Sequence, residues 1–465
     1  MSGVSQAKGV SGGCGDRAWW SVRGGELGAT MALAAPLIVG QLSQMLMGVV
    51  DTVMIGRVGV TELAASAFVN NLLFLPLIFG IGLLTSVSIR VSRARGAGDE
   101  ASARAALRGG LQIAVALGVA TLALALAVVP HLGRFGQETA VAEASPRYFL
   151  WVAASMIPAL LAVALKNHAD ALQRPWPVLW ITLGGVALNV VLNWLLIYGN
   201  LGFPRLELEG AGVATLLARA AAVAGLVWWC LGARSVRVWV PRRWFRRPDW
   251  GDLRGMVRLG LPPGVQLVAE VGIFVFATLL IGTLGERALA AHQIAISCAG
   301  MIFMVPLGLS MALTVRMGAA AGGGGGRERQ RAVVKSGWLL AGFYTLGSFV
   351  LILLGRHMIA GWFLDDAETV ALAAALLLVS AAFQAGDALQ ITSIGALRGL
   401  EDVRFPAAMA LLAYWGVALP VGWVLTIPAG FGVFGMWWGI TLGLTLAGGV
   451  LSRRLWVMSG RSSDF

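Results

Sequence analysis

Twelve long runs of apolar residues constrain the fold of this chain more than any other feature. Each run approaches or exceeds the roughly 20 residues that a helix needs to cross the hydrocarbon core of a bilayer. Barrel strands are about half as long, and an open chain in lipid must satisfy its backbone polar groups within each segment, so helices are predicted. The predicted spans are 28–56, 62–89, 107–131, 147–168, 177–199, 210–233, 254–284, 288–316, 336–358, 368–397, 405–427 and 432–456.

The overall composition supports a membrane protein. Of the 465 residues 58% are hydrophobic and only 12% are charged, whereas soluble domains carry about 25% charged residues. The three cysteines, Cys14, Cys230 and Cys298, are isolated in the sequence, so we expect neither a disulfide framework nor a metal cluster. The predicted fold class is an all-α polytopic membrane protein.

The distribution of lysine and arginine predicts the orientation. If the N-terminus lies in the cytosol, 28 of the 35 basic residues fall on the cytosolic side and six fall outside. The positive-inside rule therefore predicts that both termini are cytosolic. Because these charges are scattered among loops, we expect no nucleic-acid partner, and we expect membrane lipids around the basic loops. The predicted organisation is a cytosolic tail at 1–27, a six-helix lobe at 28–233, a basic cytosolic linker at 234–253, a second lobe at 254–456 and a tail at 457–465.

An internal repeat relates the two predicted lobes. One constant shift of the chain places Pro36 on Pro262 and Arg90 on Arg316 without a gap. Because each half has six helices, both enter the bilayer in the same direction and are related by an axis along the membrane normal, as in parallel-repeat transporters. A substrate cavity between two rocking halves is expected. This pattern favours alternating-access transport over a channel or a scaffold.

Three carboxylates lie inside predicted membrane helices. They are Asp51, Glu270 and Asp387, and no basic residue lies within one helical turn of any of them. A charge at the bilayer centre costs at least about 2.5 kcal/mol, so protonation, a bound cation or a partner on another helix must compensate for it. We predict that all three couple transport to a small cation, with a monovalent cation at Glu270 and Asp387. The competing interpretations are an interfacial Asp51, a protonated core Glu270, and an ion pair between Asp387 and Arg398.

Polar amides accompany these acids. Asn189 and Asn193 are one turn apart and share a helix face, and together with Gln44 and Gln384 they are candidate residues of the substrate cavity. The alternative is that such amides only join helices by hydrogen bonds. Pro36 removes a backbone hydrogen bond and is a candidate site for a bend in the first helix.

Two polar motifs could suggest catalysis or nucleotide binding. The segment "LDDAETV" at 364–370 contains paired aspartates, but its position before an apolar run predicts a helix cap. The segment "AAAGGGGGRERQR" at 319–331 lacks a phosphate-binding lysine and predicts a flexible loop. We therefore predict no enzymatic activity, no catalytic residues and no cofactor.

Longer segments resemble a known transporter family. "PLIVGQLSQMLMGVVDTVMIGRVG" followed by "RGAGD" resembles the first helix pair of the MATE (multidrug and toxic compound extrusion) exporters. "GLPPGVQLVAEVGIF" and "FQAGDALQITSIGALRGLEDVRFP" look like the seventh and tenth helices of the NorM-like branch. The resemblance covers nearly the whole chain and implies two six-helix lobes in the MATE/MOP-type fold.

The resemblance also implies a function. Family members exchange sodium ions or protons for diverse, mostly cationic organic compounds, so small organic cations are the expected substrates and Na⁺ or H⁺ the coupling ion. Asp51 matches the family's first-helix acid, Glu270 and Asp387 match its second-lobe cation site, and Asn189 and Asn193 match the fifth-helix pair. Pro36 matches the proline proposed to bend helix 1. We expect a monomer in a bacterial-type inner membrane. Flippases or exporters of lipid-linked or natural-product substrates share the fold and are the alternative.

Overall fold

The fold consists of twelve membrane-spanning helices. The computed structural model describes residues 15–244 and 249–460, with side chains from residue 25 onward, and the described residues contain no strand. The prediction of twelve helices is confirmed. The helices are α1 (Gly15–Gly56), α2 (Val60–Ala97), α3 (Glu100–Val128), α4 (Thr139–Ala171), α5 (Pro175–Leu196), α6 (Glu207–Gly232), α7 (Trp250–Gly282), α8 (Glu286–Gly322), α9 (Gly326–Gly361), α10 (Ala367–Gly399), α11 (Arg404–Thr426) and α12 (Val433–Met458).

Several helices extend beyond the predicted spans. Helix α3 begins at Glu100, where the Asp99 side chain accepts the backbone amides of Ala101 and Ser102, each at 3.0 Å. Hydropathy locates the part of a helix that lies in hydrocarbon, whereas a capping residue locates the end of the helix itself. The polar residues just outside the hydrocarbon core of the membrane are therefore part of the helices, although hydropathy alone left them out of the predicted spans.

The prediction of a flexible loop at 319–331 is wrong, because most of this segment is helical. Helix α8 continues to Gly322 and α9 begins at Gly326, which leaves a short turn. A Cβ at Gly322 would lie 2.0 Å from the Arg93 carbonyl oxygen on α2. The glycine run lets two backbones approach closely, because a side chain does not fit at this position.

The tails and the linker are only partly described. Helix α1 starts at Gly15, within the predicted tail at 1–27. Residues 1–14, 245–248 and 461–465, which include Cys14, lie outside the described residues. The linker contains a short helix at Arg234–Arg237, and Asp249 caps α7 by accepting the Gly251 amide at 3.0 Å.

The two lobes repeat the same packing. In α1–α6, helix α4 packs against α2, α3 and α6, while α1 packs against α5. In α7–α12, helix α10 packs against α8, α9 and α12, while α7 packs against α11. The two lobes meet where α1 packs on α8 and where α7 packs on α2, which are equivalent contacts. The predicted pseudo-symmetric pair of six-helix lobes is confirmed.

The lobes are joined at one end only. We call the end at which α1 begins and α2 ends the inner end, because the positive-inside rule predicts that it is cytosolic. One hydrophobic core there contains residues of both lobes, such as Leu84 and Leu313. Towards the outer end the core divides into one cluster around Leu132 in the first lobe and another around Ile281 in the second. The interlobe hydrogen bonds, ion pairs and close glycine contacts of the described residues lie in the inner halves or near the middle of the helices, and none lies at their outer ends. The bundle is therefore open towards the outer end.

The interface between the lobes follows the sequence repeat. A Cβ at Gly82 would lie 2.5 Å from the Gly264 Cα, and a Cβ at Gly308 would lie 2.6 Å from the Ile38 side chain. The shift that aligns the two halves of the chain places Gly82 on Gly308 and Ile38 on Gly264, so the two contacts are equivalent. Small residues at such positions allow close helix packing in membranes.

Candidate functional site

The first polar cluster lies inside the second lobe, between α7, α10 and α11. Glu270 on α7 is half-buried and Asp387 on α10 is only 6% exposed. The two carboxylates are close enough to interact electrostatically. Tyr414 on α11 interacts with both of them and accepts a hydrogen bond from Gln390 Nε2 at 3.1 Å. The structure thus brings together two acids that are far apart in the sequence.

Local backbone geometry positions the tyrosine. Residues Leu412–Ala418 form a π-helical segment within α11, and such segments are frequent at functional sites. The neighbouring Trp415 donates its indole N–H to the Ala269 carbonyl oxygen at 3.2 Å. This contact holds the π-helical segment against the turn of α7 that carries Glu270.

An arginine on another helix lies close to Glu270. Arg398 donates from Nη2 to Gln266 Oε1 at 3.2 Å, and Gln266 is one turn before Glu270 on the same face of α7. Arg398 and Glu270 also interact electrostatically. Asp387 interacts with Glu270, while Arg398 contacts α7, so the alternative of a direct pair between Asp387 and Arg398 has no support here.

Unpartnered polar atoms are concentrated in this cluster, although others occur elsewhere in the bundle. Four buried side-chain atoms of this cluster have no hydrogen-bond partner within the described structure. They are Gln266 Nε2, Glu270 Oε2, Gln390 Oε1 and Arg398 Nε. Buried polar atoms in proteins nearly always have partners. Carboxylate, amide and phenol oxygens are the ligands that hard cations prefer. The cluster can therefore accept a small cation or a proton, with Arg398 offsetting one of the two negative charges.

The second polar cluster lies in the first lobe. Asn193 on α5 donates from Nδ2 to Asp51 Oδ1 at 2.6 Å and to Asn189 Oδ1 at 3.2 Å. Both asparagines are fully buried. The pair that shares a helix face in the sequence therefore meets the acid of α1.

A buried cation and a tyrosine complete the first-lobe cluster. Arg219 on α6 donates to Ser155 Oγ at 2.7 Å and interacts electrostatically with Asp51 and with Tyr148 on α4. Tyr148 in turn lies near the side chain of Asn70. Each polar cluster therefore contains carboxylate, amide, tyrosine and arginine groups, with one acid in the first-lobe cluster and two in the second-lobe cluster.

The remaining candidate residues lie elsewhere. Gln384 on α10 accepts a hydrogen bond from Ser348 Oγ on α9 at 3.0 Å, while its Nε2 is buried without a partner in the described residues. Gln44 on α1 is exposed. Pro36 lies inside α1, which stays helical on both sides of it.

The sequence pattern did not predict that two tyrosines and Arg219 belong to the polar clusters. The sequence contains only four tyrosines, and two of them, Tyr148 and Tyr414, belong to the polar clusters. Arg219 stands out as a basic residue inside an apolar run, but its proximity to Asp51 depends on packing between α1 and α6. The scarcity of tyrosine and the isolation of this arginine are the sequence signals that could have indicated them.

One of the paired aspartates at 364–370, Asp366, caps helix α10. Asp366 Oδ2 accepts the Thr369 amide at 3.0 Å and the Thr369 hydroxyl at 2.5 Å at the start of α10. These hydrogen bonds lower the pKa of Asp366 below its ordinary value. The prediction of a cap is confirmed, and no group of three or more potential metal ligands occurs among the described residues.

The fold and its two clusters define a membrane protein of facing six-helix lobes with buried acids in each lobe. A family model described as MatE matches residues 36–195 and residues 262–424. The two matches begin at Pro36 and at Pro262, the prolines that the internal repeat aligns. The chain belongs to the MatE family.

Relatives and solved structures agree with this family. A probable multidrug resistance protein NorM of Bradyrhizobium diazoefficiens is 38% identical over 439 residues, which cover 93% of each chain. The multidrug resistance protein NorM of Burkholderia vietnamiensis is 37% identical over 422 residues, 89% of this chain and 90% of that protein. A multidrug resistance MATE family transporter of the MOP superfamily, solved in an outward-facing conformation, shares the fold with a TM-score of 0.84 at 20% identity, covering 93% of this chain and 96% of that chain.

Proposed function

We propose that this chain is a cation-coupled antiporter that exports amphipathic, mostly cationic organic compounds by alternating access. The observation that carries the proposal is the half-buried Glu270 beside the buried Asp387, with unpartnered polar atoms around them, in a two-lobed bundle that is open towards the outer end. The names of the relatives, multidrug resistance proteins, support export as the direction of transport and several drugs as the substrates.

Competition for the buried carboxylates supplies the coupling. A carboxylate that holds Na⁺ or H⁺ has less attraction for a cationic substrate, and the reverse also holds. In this scheme, inward movement of the coupling ion displaces substrate towards the outside. The inner end of the bundle faces the cytosol of a bacterial inner membrane, as the charge distribution supports.

The test uses proteoliposomes that contain the purified chain and a fluorescent organic cation. Export is measured under an imposed sodium gradient and under an imposed proton gradient. We expect one gradient to drive export, and we expect Glu270→Gln and Asp387→Asn to abolish it while the protein still inserts. Glu143→Gln is the matched control, because Glu143 is exposed at the outer end of α4. Normal export by both site variants would refute the assignment.

A flippase or exporter of an anionic lipid-linked substrate is the second candidate. Arg219 favours it, since a basic residue in the first-lobe cluster could hold a diphosphate. In the structure this arginine already interacts with Asp51. Binding of a lipid-linked diphosphate that Arg219→Gln abolishes, without gradient-driven export of cations, would select this alternative.

A further inference from the structure

The two lobes are joined at the inner end by two ion pairs related by the internal repeat. Glu26 on α1 pairs with Arg316 on α8, and Asp252 on α7 pairs with Arg90 on α2. The shift that aligns the two halves of the chain places Glu26 on Asp252 and Arg90 on Arg316. The same contact is therefore made twice, once at each of two corners of the interface.

The two corners differ in how completely the arginine is neutralised. At the first corner the side chains of Arg316 and Glu26 are 10% and 16% exposed. At the second corner Arg90 lies 3.7 Å from Asp252, and the two side chains are 32% and 50% exposed. The protein supplies a close counter-ion at the first corner and only a distant one at the second.

A cavity of about 330 Å³ lies at the second corner. Its walls include Arg90 of the first lobe, and Gly255, Arg258 and Arg404 of the second. A Cβ at Gly255 would lie 2.4 Å from Arg90 Nη2, so the missing side chain leaves room for the guanidinium group. Arg90 therefore brings a positive charge of the first lobe to a cavity that is otherwise lined by the second lobe.

The charge of the cavity is positive. Its two acids, Glu401 and Asp402, are already paired with Arg93 at 2.6 Å and with Arg454 at 2.5 Å. Besides Arg90, two arginines line the cavity, and both are exposed. Arg258 and Arg404 form no ion pair or hydrogen bond within the described structure. Guanidinium groups of this kind bind phosphate with two parallel hydrogen bonds.

The surroundings of the cavity favour a lipid as the source of the phosphate. On α7, Val257 and Leu261 are 38% and 44% exposed and flank Arg258. Exposed apolar residues of a membrane helix can contact acyl chains, and basic pockets between helices on the cytosolic side bind anionic headgroups. We propose that this cavity binds the phosphate of an anionic lipid headgroup of the cytosolic leaflet and that the lipid joins the lobes while the inner end is closed.

The test is lipid binding by the purified full chain. Native mass spectrometry counts retained phosphatidylglycerol, with zwitterionic phosphatidylethanolamine as the comparison lipid. We expect Arg258→Gln combined with Arg404→Gln to reduce phosphatidylglycerol retention about tenfold or more, because each arginine near an anionic surface contributes severalfold. The control combines Arg327→Gln and Arg453→Gln, which removes two exposed inner-end charges outside the cavity.

A second variant separates charge from folding. Gly255→Leu fills the cavity without changing its charge, and we expect the same loss of phosphatidylglycerol with an unchanged elution profile on size exclusion. Equal retention by the cavity variants and the control would overturn the proposal. Binding of inorganic phosphate at this site without retention of phosphatidylglycerol would overturn the lipid assignment. Because the readout is binding, these outcomes do not depend on whether the chain exports cations.

Discussion

Removal of Glu26 should shift the balance between the two conformations of the transporter. Glu26 and Arg316 join the lobes only while the inner end is closed, so Glu26→Gln destabilises that state relative to one open to the cytosol. Arg329 also approaches Glu26, at 4.0 Å. The variant therefore leaves two guanidinium groups without their shared carboxylate.

The magnitude follows from the burial of the pair. Removal of one partner of a fully buried ion pair costs roughly 3–5 kcal/mol, whereas exposed pairs contribute about 0–1 kcal/mol. The Glu26 and Arg316 side chains, 16% and 10% exposed, lie between these limits. We expect about 2 kcal/mol, which corresponds to roughly a thirtyfold change in the ratio of the two conformations.

The internal repeat provides a matched control. Asp252→Asn deletes the equivalent charge at the other corner, where the ion pair is longer and more exposed. There we expect about 0.5 kcal/mol or less, hence roughly a twofold change. The proposed lipid site lies beside this pair, so the comparison is made in zwitterionic lipid.

The assay measures the distance between the inner ends of the lobes. Spin labels are attached after Ala101→Cys and Arg327→Cys, at two exposed positions, in a chain whose three native cysteines are replaced by serine. Double electron–electron resonance then gives the populations of the short and long distances in proteoliposomes. A shift for Asp252→Asn as large as that for Glu26→Gln would refute the reasoning, because burial would then not determine the effect.

Three further changes have defined outcomes. Gly82→Val places a side chain against the backbone of α7 and should lengthen the same interlobe distance. Asn193→Leu removes the hydrogen bond that Asn193 donates to the Asp51 carboxyl group, and hydrogen bonds to charged groups are typically worth roughly 1.5–3 kcal/mol. The variant should lower export about tenfold or more; unchanged transport would exclude a role for this pair. Asp366→Ala removes the cap of α10. Because hydrogen bonds from Thr369 lower the pKa of Asp366, the cap's contribution to stability is present above the ordinary value of 3.8 and is lost as pH falls. After the intrinsic pH dependence of amide exchange is divided out, the protection of amides at the start of α10 should fall with pH in the parent and not in the variant.

The fold could be predicted because its determinants are local. Each apolar run is a continuous stretch that only a helix can place in lipid, and the repeat appears as residue matches at one fixed shift. The ends of the helices were less predictable. The Asp99 cap places the start of α3 before its apolar run. The short turn before α9 depends on the close approach of α2 to the glycine run, and no local sequence pattern reveals that approach.

The polar clusters were only partly predictable, since their contacts join distant helices. The absence of basic residues near Asp51, Glu270 and Asp387 in sequence indicated that any basic partner must come from another helix. The structure places Arg219 near Asp51 and Arg398 near Glu270. Which helix supplies the partner depends on packing that the sequence pattern does not specify.

Comparison of the halves shows where chemistry departs from the repeat. At the interface the repeat is retained: an acid pairs with an arginine at both corners, and a glycine contacts a neighbouring helix at both. At the clusters it is not retained. The position equivalent to Glu270 is Gln44, and the position equivalent to Asp51 is Ala277. Since equivalent backbone positions carry an acid in one lobe and an uncharged residue in the other, the two lobes cannot bind a cation in the same way. Duplication explains how the lobes close against each other, whereas the substitutions inside each lobe determine what that lobe binds.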